Sequence, residues 1–278
     1  MQLLLGCDPE VFVRRKGRKS FHSAYGLNEG TKNAPVRVDK GAVQVDGMAL
    51  EFNIDPASNV DEWYGNIQAV MSQLASSVPT YEIVATPVAR FTKAHMAKQP
   101  HQATELGCTP DFNAWKNGEE NPSPDGGAVL FRTGAGHVHF GWTKDADITD
   151  RLHLEACIML VKALDLTLGP LCALFDTGSE RRKLYGAAGA FRPKSYGCEY
   201  RVVSNAWLRD EETIKWVYQV CNVVFSGLAN EDNRFLCTIW EKELLEALSM
   251  PQVDDKTRHI ILNRAKVLGI PLLKEMQG

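Results

Sequence analysis

Four short apolar segments of the chain each carry two polar side chains at positions i and i+2. In GCDPEVFV, these side chains are the carboxylates of Asp8 and Glu10. Alternate residues of a β-strand point to the same face, so the two acids would lie together. Two bare carboxylates there repel each other and lose hydration unless a cation or another partner binds between them. Taken alone, the pair fits either a solvated strand end or a cation site.

The same spacing recurs three times further along the sequence. The later pairs are Glu51 with Asn53 in ALEFNI, His137 with His139 in GHVHFGW, and Glu199 with Arg201 in CEYRVVS. If the four strands are neighbours in a sheet, their polar faces converge. This convergence predicts a carboxylate-lined hollow with one imidazole at its wall, formed by Asp8, Glu10, Asp46, Glu51, Glu199 and His137.

The residue types in this hollow favour a hard divalent cation. Carboxylate oxygens with one imidazole suit Mg²⁺ or Mn²⁺ better than a structural Zn²⁺, which prefers cysteine and histidine in a closed tetrahedron. The spacing of His137 and His139 alone also permits zinc. The two histidines also fit satisfied core residues, but the glycines of GAGHVHFGW favour a site because they let other groups approach closely.

A dense group of basic residues precedes and accompanies the Glu199 strand. It comprises Arg181, Arg182, Lys183, Arg192, Lys194 and Arg201. Guanidinium groups bind phosphate oxygens with two parallel hydrogen bonds and stabilise the charge of a phosphoryl group in transfer. Arg201 alternates with Glu199 and is expected to face the hollow, whereas Arg181 and Lys183 fit an exposed basic loop equally well.

Metal-binding acids on one side of a site and arginines on the other are typical of a site that binds a nucleotide polyphosphate together with its metal ions. Neither GxxxxGK[ST] nor GxGxxG occurs in the sequence. Their absence excludes the P-loop and Rossmann types of nucleotide-binding site.

The first half of the chain is predicted to consist mainly of strands and loops. LLLGCDPEVFVRR and YEIVATPVARF are strand-like, and VQVDGMALEFNI, with its DG turn signal, indicates a hairpin or a bent strand. NVDEWYGNIQAVMSQLASSV predicts a helix capped by Asn59 or Asp61. Residues 107–127 are predicted to form a long loop.

The second half is predicted to begin with the strand AGHVHFGW and a long buried helix, TDRLHLEACIMLVKALDLTL, which Gly169 and Pro170 end or break. SERRKLYGAAGAFRPKSYG is predicted to be a loop that leads into the strand CEYRVVS, and three helices follow. The fold class is therefore α+β, with antiparallel strands and helices packed behind them. We expect one domain over residues 1–278, rich in sheet over 1–208 and helical over 209–278.

Composition narrows the class of protein. The 278 residues are 44% hydrophobic and 23% charged, with a net charge of −3. Electrostatic capture of nucleic acid or anionic lipid is not indicated, although a local basic cleft can hide within a neutral total. The seven cysteines are odd in number, lack CxxC spacing and lie largely in apolar segments, as buried free thiols of a reducing compartment do. With no stretch near the ~18 apolar residues of a membrane span and no signal peptide, we expect a cytoplasmic protein.

The ordered motifs GCDPEVFV, ALEFNIDPA, GAGHVHFGW and YGCEYRVVSNAWL resemble those of the glutamine synthetase and glutamate–cysteine ligase superfamily. They are most similar to its phage-type carboxylate–amine ligases, or amidoligases. The resemblance implies a curved, mostly antiparallel sheet whose concave face binds ATP and two or three divalent ions, with helices on the convex side. It covers residues 6 to about 208. Two departures are the Asp-Pro-Glu sequence in place of two glutamates, and an interval from Asp46 to Glu51 that is tighter than in glutamine synthetase.

The resemblance also implies roles for individual residues. The metal ligands would be Asp8, Glu10, Asp46, Glu51, His137 and Glu199. His139 would lie near the transferred phosphate, and the nucleotide would contact His139, Arg182, Arg192, Arg201 and Asn205. The catalytic residues would be Arg192, Arg201 and His139. Cys7 and Cys198 flank the metal acids, but strand alternation turns them away, so we expect core thiols rather than nucleophiles.

The implied reaction joins a small-molecule or peptide carboxylate to an amine through an acyl phosphate, with ATP and Mg²⁺ or Mn²⁺ as cofactors. A nucleic-acid or protein acceptor is a further alternative, a membrane partner is not expected, and a phage-encoded protein would act in the host cytoplasm. One rival is a metal-dependent hydrolase or nuclease, against which the arginine-rich segment argues. The other is a non-enzymatic virion-associated or protein-binding module, against which the presence of every motif acid argues.

Overall fold

The computed structural model describes residues 2–104, 111–122 and 129–277, and the elements of the fold lie within these ranges. The amino-terminal strands and helices are β1 (Leu4–Cys7), β2 (Glu10–Arg15), β3 (Phe21–His22), β4 (Val36–Val38), β5 (Gly41–Asp46), β6 (Ala49–Ile54), α1 (Val60–Ser77), β7 (Tyr81–Val84), β8 (Val88–Arg90), α2 (Lys93–Met96), α3 (His101–Thr104), β9 (Phe112–Asn113) and β10 (Glu119–Glu120).

The remaining elements are β11 (Phe131–Thr133), β12 (Val138–Gly141), α4 (Arg151–Asp165), α5 (Leu168–Ala173), α6 (Ser179–Leu184), β13 (Ala190–Lys194), β14 (Gly197–Tyr200), α7 (Glu211–Ala229), α8 (Glu241–Ala247) and α9 (Asp255–Val267). Short 3₁₀ turns lie at Ala114–Lys116, Asn205–Arg209, Asn233–Phe235 and Lys274–Met276. The chain is thus a mixed α/β protein with antiparallel sheets and helices, as the sequence predicted.

The strands form two sheets and one isolated pair, whereas the sequence analysis expected the four polar segments in a single sheet. The first sheet has the order β1-β12-β14-β13-β9-β10, and the second has the order β3-β2-β6-β5-β4, with β7 paired to β2. β8 pairs with β11. Every pairing between these strands is antiparallel.

The chain passes from the first sheet to the second at Asp8 and Pro9. Proline has no N–H to donate to a ladder, so continuous pairing is interrupted there. The Glu10 N–H donates to Ala135 O at 3.0 Å, and the Pro9 carbonyl accepts from Phe52 N at 3.2 Å. This junction joins the two sheets directly beside the motif acids.

Local signals for two elements are confirmed. The DG turn closes the β5–β6 hairpin, in which Gly47 has a φ of 56° and Asp46 lies opposite Ala49. Asn59, rather than Asp61, caps α1, because its side chain accepts from Glu62 N at 2.9 Å. An asparagine at this position satisfies a helical N–H that otherwise has no partner.

The long buried helix is interrupted earlier than predicted. α4 ends at Asp165 and α5 begins at Leu168, so Gly169 and Pro170 lie inside the first turn of α5. A proline ring clashes with the carbonyl four residues earlier, here that of Leu166, which explains a break just before α5. Arg151–Ala173 together are long and apolar enough to cross a membrane, but 72% of the most apolar stretch is buried inside the protein, as in a core helix.

The basic segment before the Glu199 strand is not the loop that the sequence predicted. It forms α6 and then β13, whose Arg192 lies directly opposite Glu199 of β14. The predicted loop over residues 107–127 lies partly outside the described residues, and its described part contains β9, a 3₁₀ turn and β10.

The helices pack on the sheet faces opposite the polar residues. On β14, the Tyr200 hydroxyl donates to Asp165 of α4 at 2.8 Å, so alternation turns Glu199 to the other face. α1 contacts β5, β6 and α7 in the same way, and its Trp63 stacks on Trp207. One continuous apolar core contains residues of both sheets and of the carboxy-terminal helices.

Candidate active site

Three carboxylates of the second sheet form the first part of the site. Glu10 on β2 lies directly opposite Glu51 on β6, and Asp46 ends the neighbouring strand β5. One oxygen from each lies within 4.8 Å of the others, and we call these three residues the Glu10 cluster. Burial, reinforced by the charge of Asp46, raises the pKa of Glu10 to about 7. Burial and the charges of Asp8 and Glu10 raise the pKa of Glu51 well above its usual range.

Three residues of the first sheet and its junction form the second part, the Glu199 cluster: Asp8, His139 and Glu199. Their ligand atoms also lie within 4.8 Å of one another. His139 Nε2 is 3.0 Å from Asp8 Oδ1, yet both atoms are buried without the alignment of a hydrogen bond. Burial lowers the pKa of His139, but the Asp8 carboxylate outweighs it, so the net shift is upward.

His137 lies immediately beside the Glu199 cluster. Its Nδ1 is 3.3 Å from Asp8 Oδ1 and 3.4 Å from Glu199 Oε1, and Arg201 approaches the same nitrogen at 3.3 Å. Burial and Arg201 lower the pKa of His137 to about 4. The imidazole is therefore neutral at pH 7, the form that binds metals. The structure thus brings both histidines to Asp8 and Glu199, His137 as expected for a metal ligand and His139 in addition.

Cations surround Glu199 in the described part of the chain. Arg201 contacts Glu199 Oε1, Lys194 Nζ lies 2.8 Å from Oε2, and Arg192 lies 3.7 Å from Oε1. Burial and the Asp8 charge act to raise the pKa of Glu199, but Arg201 and the histidines outweigh them and lower it to about 2. Glu199 is therefore ionised and held by three cations, whereas burial raises the pKa values of Glu10 and Glu51.

The two clusters fit hard divalent cations. The donors are carboxylate oxygens and imidazole nitrogen, the set that suits Mg²⁺ and Mn²⁺. Asp8 Oδ1 is buried 3.0 Å from His139 Nε2 and 3.3 Å from His137 Nδ1 without the alignment of a hydrogen bond, and a bound ion would satisfy this oxygen. Burial of Glu10 opposite Glu51 disfavours two negative charges unless a cation lies between them. Both observations are independent of the motif resemblance.

Arg201 is fixed by a residue that the sequence did not indicate. Its Nε donates to Asp111 Oδ2 at 3.2 Å, and Asp111 in turn accepts from the Asn121 amide at 2.9 Å. Asp111 lies in the segment predicted to be a loop, outside every i, i+2 pattern. Only a contact 90 residues distant along the chain gives it a role.

A cavity of about 670 Å³ opens beside both clusters. Asp8, Glu51 and His139 line its base, and Trp142 and Tyr196 form part of its wall. The Tyr196 hydroxyl hydrogen-bonds His139 Nδ1, and the two rings stack 6.0 Å apart. Burial, with the charge of Glu199, raises the pKa of Tyr196 above its usual range. Sequence reasoning did not indicate Tyr196, which lies in the turn between β13 and β14.

Two of the arginines lie where the sequence did not predict them. Arg181, for which an exposed loop position and a phosphate contact were both open, is buried, and its guanidinium donates to Val202 O at 2.7 Å and Arg201 O at 3.1 Å. Arg182, expected to contact phosphate, instead pairs with Asp176 at 3.0 Å. Its second nitrogen reaches Met250 O at 3.3 Å, so the structure does not bring it to the clusters. Arg181 and Arg182 are consecutive residues of α6, so their side chains point in different directions around the helix.

Asn205, another expected nucleotide contact, is fully buried. Its amide nitrogen donates to the Glu10 carbonyl at 2.7 Å and thereby fixes the backbone of the Glu10 cluster. Ser204, the residue before Asn205, passes close to Gly136 just before β12. Glycine is required at position 136, since a Cβ there would lie 2.2 Å from Ser204 O. Cys7 and Cys198 are buried, and burial raises both thiol pKa values well above the usual range, as expected for core thiols.

Comparisons with known proteins bear on the identity of this site. Residues 128–245 match the family model described as phage phiEco32-like COOH.NH2 ligase-type 2. That segment contains His137, His139, Arg192, Glu199 and Arg201, whereas the Glu10 cluster and Asp8 precede it. No curated protein matches the sequence.

Among solved structures, the crystal structure of a bifunctional glutathione synthetase from Pasteurella multocida aligns with 97% of this chain. The sequence identity is 9% and the TM-score 0.43, a level that does not establish a shared fold. The chain spans 45% of the length of that structure. Over residues 128–245, the chain therefore matches the family that its motifs resemble, the phage-type carboxylate–amine ligases.

Proposed function

We propose that the protein is an ATP-dependent carboxylate–amine ligase that forms an amide or peptide-like bond. The observation that carries this proposal is the pair of oxygen-rich clusters beside one cavity, with Arg192 and Arg201 directed at Glu199 of the second cluster. The match of residues 128–245 to a COOH.NH2 ligase family supports it. Under this proposal, the two sheets joined at Asp8 and Pro9 form the curved antiparallel surface of a glutamine synthetase-like fold.

Under this proposal, each of the two clusters would hold one divalent cation. Glu10, Asp46 and Glu51 would hold one ion, and Asp8, His139 and Glu199, with His137 beside them, would hold another. Bound Mg²⁺ would neutralise charge on the ATP phosphates and make the γ-phosphorus more electrophilic. Asn205 keeps the Glu10 backbone in place, so the clusters are set before a nucleotide arrives.

Arg201 and Arg192 would stabilise charge on the transferred phosphoryl group. Arg201 is held by Asp111 and Glu199, and Arg192 is positioned by the β13–β14 pairing. A guanidinium whose orientation is fixed in advance stabilises developing charge without reorganising. Lys194, which lies on the same strand, completes the positive side of the Glu199 cluster.

The reaction would take place in the cavity of about 670 Å³. A substrate carboxylate oxygen forms a bond to the γ-phosphorus as the bond to ADP breaks, which gives an acyl phosphate. The amine nitrogen then attacks the acyl carbon, phosphate leaves with the electron pair of the C–O bond, and the amine loses a proton. The residues named above position the reactants, and no covalent enzyme intermediate is required.

The test is incubation of the purified chain with ATP, Mg²⁺ and pools of carboxylates and amines, followed by assay of ADP and phosphate. Hydroxylamine, used as a surrogate amine, should yield a hydroxamate in proportion to ADP. Glu51→Gln serves as the control that should lose ADP release while keeping the fold. Cleavage of nucleic acid or peptide with Mg²⁺ but without ATP would contradict the ligase and favour a hydrolase.

A further inference from the structure

A second, smaller cavity lies at the far end of β2, between the β2–β3 hairpin and β8. Its volume is about 200 Å³, and we call it the arginine pocket. The polar side chains that line it include Arg15, Arg18, Ser20, His22, Arg90 and His95. No carboxylate lines the pocket within the described ranges. The lining therefore presents cations, imidazoles and hydroxyl groups, a set that favours an anionic ligand.

The charge of the arginine pocket can be counted from its ion pairs. Arg90 contacts Glu180, whose carboxylate balances one guanidinium. Arg15 and Arg18 form no ion pair with residues of the described ranges 2–104, 111–122 and 129–277. Counting the guanidinium groups alone, two positive charges without an ion-pair partner in those ranges face the cavity. A net negative total for the whole chain conceals this local excess.

The walls of the pocket are held by backbone contacts. His22 Nδ1 lies 2.8 Å from Ser23 O, and the Ser23 N–H donates to His95 Nε2 at 3.1 Å. The two imidazole rings lie 5.2 Å apart in an edge-to-face arrangement. Arg90 also lies over the ring of Phe131, with its central carbon 5.7 Å from the ring centroid. Three of the lining groups are thus positioned before any ligand binds.

The arginine pocket is separate from the acid clusters. Arg15 and Glu10 lie at opposite ends of β2, five residues apart. At ~3.3 Å per strand residue, the separation along β2 is roughly 16 Å. A ligand in the arginine pocket would therefore not contact the metal ligands.

We propose that the arginine pocket binds a small-molecule phosphomonoester. Arginines bind phosphate oxygens through two parallel charge-assisted hydrogen bonds, and the Ser20 hydroxyl supplies a further donor. A phosphomonoester carries about −1.5 to −2 charges at pH 7, which matches the two uncompensated guanidinium groups. A phosphodiester of a nucleic-acid backbone carries only one negative charge and leaves the second guanidinium unbalanced. The cavity is also smaller than the ~300–1,000 Å³ of pockets that enclose drug-sized ligands, so it suits a phosphate on a small carrier.

The test is isothermal titration calorimetry of the full chain with ribose 5-phosphate, in buffer without Mg²⁺ so that a metal–nucleotide site does not contribute. We expect saturable binding of one molecule per chain. Arg15→Gln and Arg18→Gln should each weaken binding at least 10-fold. Lys93→Gln, which removes an exposed cation of the same surface outside the pocket lining, should change affinity less than 2-fold.

Three results would overturn the proposal: no saturable binding, equal affinity in all four proteins, or tighter binding of a phosphodiester-linked oligonucleotide without a terminal phosphate. The last would indicate a nucleic-acid surface. Inorganic phosphate should bind more weakly than the monoester and lose affinity in the same arginine variants, whereas equal affinity for both would contradict a site for an organic carrier. Circular dichroism should show that each variant is folded. Glu10→Gln should leave this binding unchanged, which separates the outcome from that of the ligase proposal.

Discussion

Glu10 and Glu51 face each other directly across the antiparallel pair of β2 and β6. Like charges at opposed positions of neighbouring strands destabilise a sheet, and burial adds to the effect. The Glu10 side chain also accepts a hydrogen bond from Ala135 N at 2.9 Å, so it cannot turn away without losing that bond. If the Glu10 cluster holds a cation, as proposed, its stability and its metal binding would be interdependent.

Glu10→Gln should therefore stabilise the metal-free protein at pH 8 by on the order of 1–3 kcal/mol, because the pKa of Glu10 is raised to about 7. The glutamine oxygen can still accept from Ala135 N. The same variant should lose Mg²⁺-dependent ATP turnover. Urea denaturation with and without Mg²⁺ checks the first point and ADP release checks the second. Full turnover would show that Glu10 is structural, and a less stable variant would contradict the repulsion.

Glu199→Gln should behave in the opposite way. It leaves Arg201 and Lys194 without the carboxylate that they share. Removal of one partner from a buried ion pair typically lowers stability by ~3–5 kcal/mol. We expect a clear drop in the urea midpoint of unfolding, as well as loss of ATP turnover. A variant as stable as the wild type would show that the three cations are not held by Glu199.

Arg201→Lys and Arg192→Lys test the phosphate side of the site. Lysine keeps the positive charge but loses the planar fork, so ATP turnover should fall by a factor of ~10² or more. Binding of Mn²⁺ without nucleotide, followed by electron paramagnetic resonance, should change much less. Wild-type turnover in both lysine variants would favour the hydrolase alternative. Lys183→Gln, outside both clusters, is the matched control.

Asp165 provides a pH-dependent test of the core. Burial raises its pKa to about 7, although Trp115, Tyr200 and Gly189 donate to it. Because the unfolded pKa is near 3.9, the folded state holds the proton longer, and stability falls as the pH rises from about 4 to 7 by up to ~1.4 kcal/mol per pH unit.

In Asp165→Asn, this part of the pH dependence should vanish. The asparagine oxygen can accept from Trp115 and Gly189, while its amide donates to the Tyr200 oxygen. Urea denaturation at pH 5 and pH 7 should show a smaller difference for the variant than for the wild type. An unchanged difference between the two pH values would mean that Asp165 is ionised throughout.

Gly136→Ala tests the close contact behind His137. The added Cβ would lie 2.2 Å from Ser204 O and 2.5 Å from Trp207 Nε1, so neighbouring backbone must move. Overpacking of this kind lowers stability by ~1–3 kcal/mol, and ATP turnover should fall as His137 shifts. Gly65→Ala is the control, since nothing lies within 4 Å of its Cβ and α1 should gain up to about 1 kcal/mol. Thermal unfolding of both variants distinguishes a steric clash at Gly136 from an effect common to any glycine-to-alanine change.

The sequence alone determined which residues meet on a common face. Strand alternation is a local property of the backbone, so His137 could be assigned to the same face as His139, and Glu199 to the same face as Arg201, before any pairing was known. The β5–β6 hairpin and the Asn59 cap followed from equally local rules, because the DG turn and the capping side chain act within four residues of their position.

Only the tertiary structure decided which of these side chains belong to the Glu10 cluster and which to the Glu199 cluster. Asp8 and Glu10, on either side of Pro9, belong to different clusters, an outcome set by strand partners far away in the chain. Long-range packing also explains why the sequence did not predict the contacts of Asp111, Tyr196 and Arg182. A carboxylate, a phenol or a guanidinium can pair with many partners, and the partner is chosen by the packing of elements up to 90 residues apart rather than by spacing. Local rules therefore gave the chemistry of the site, and long-range packing gave its geometry.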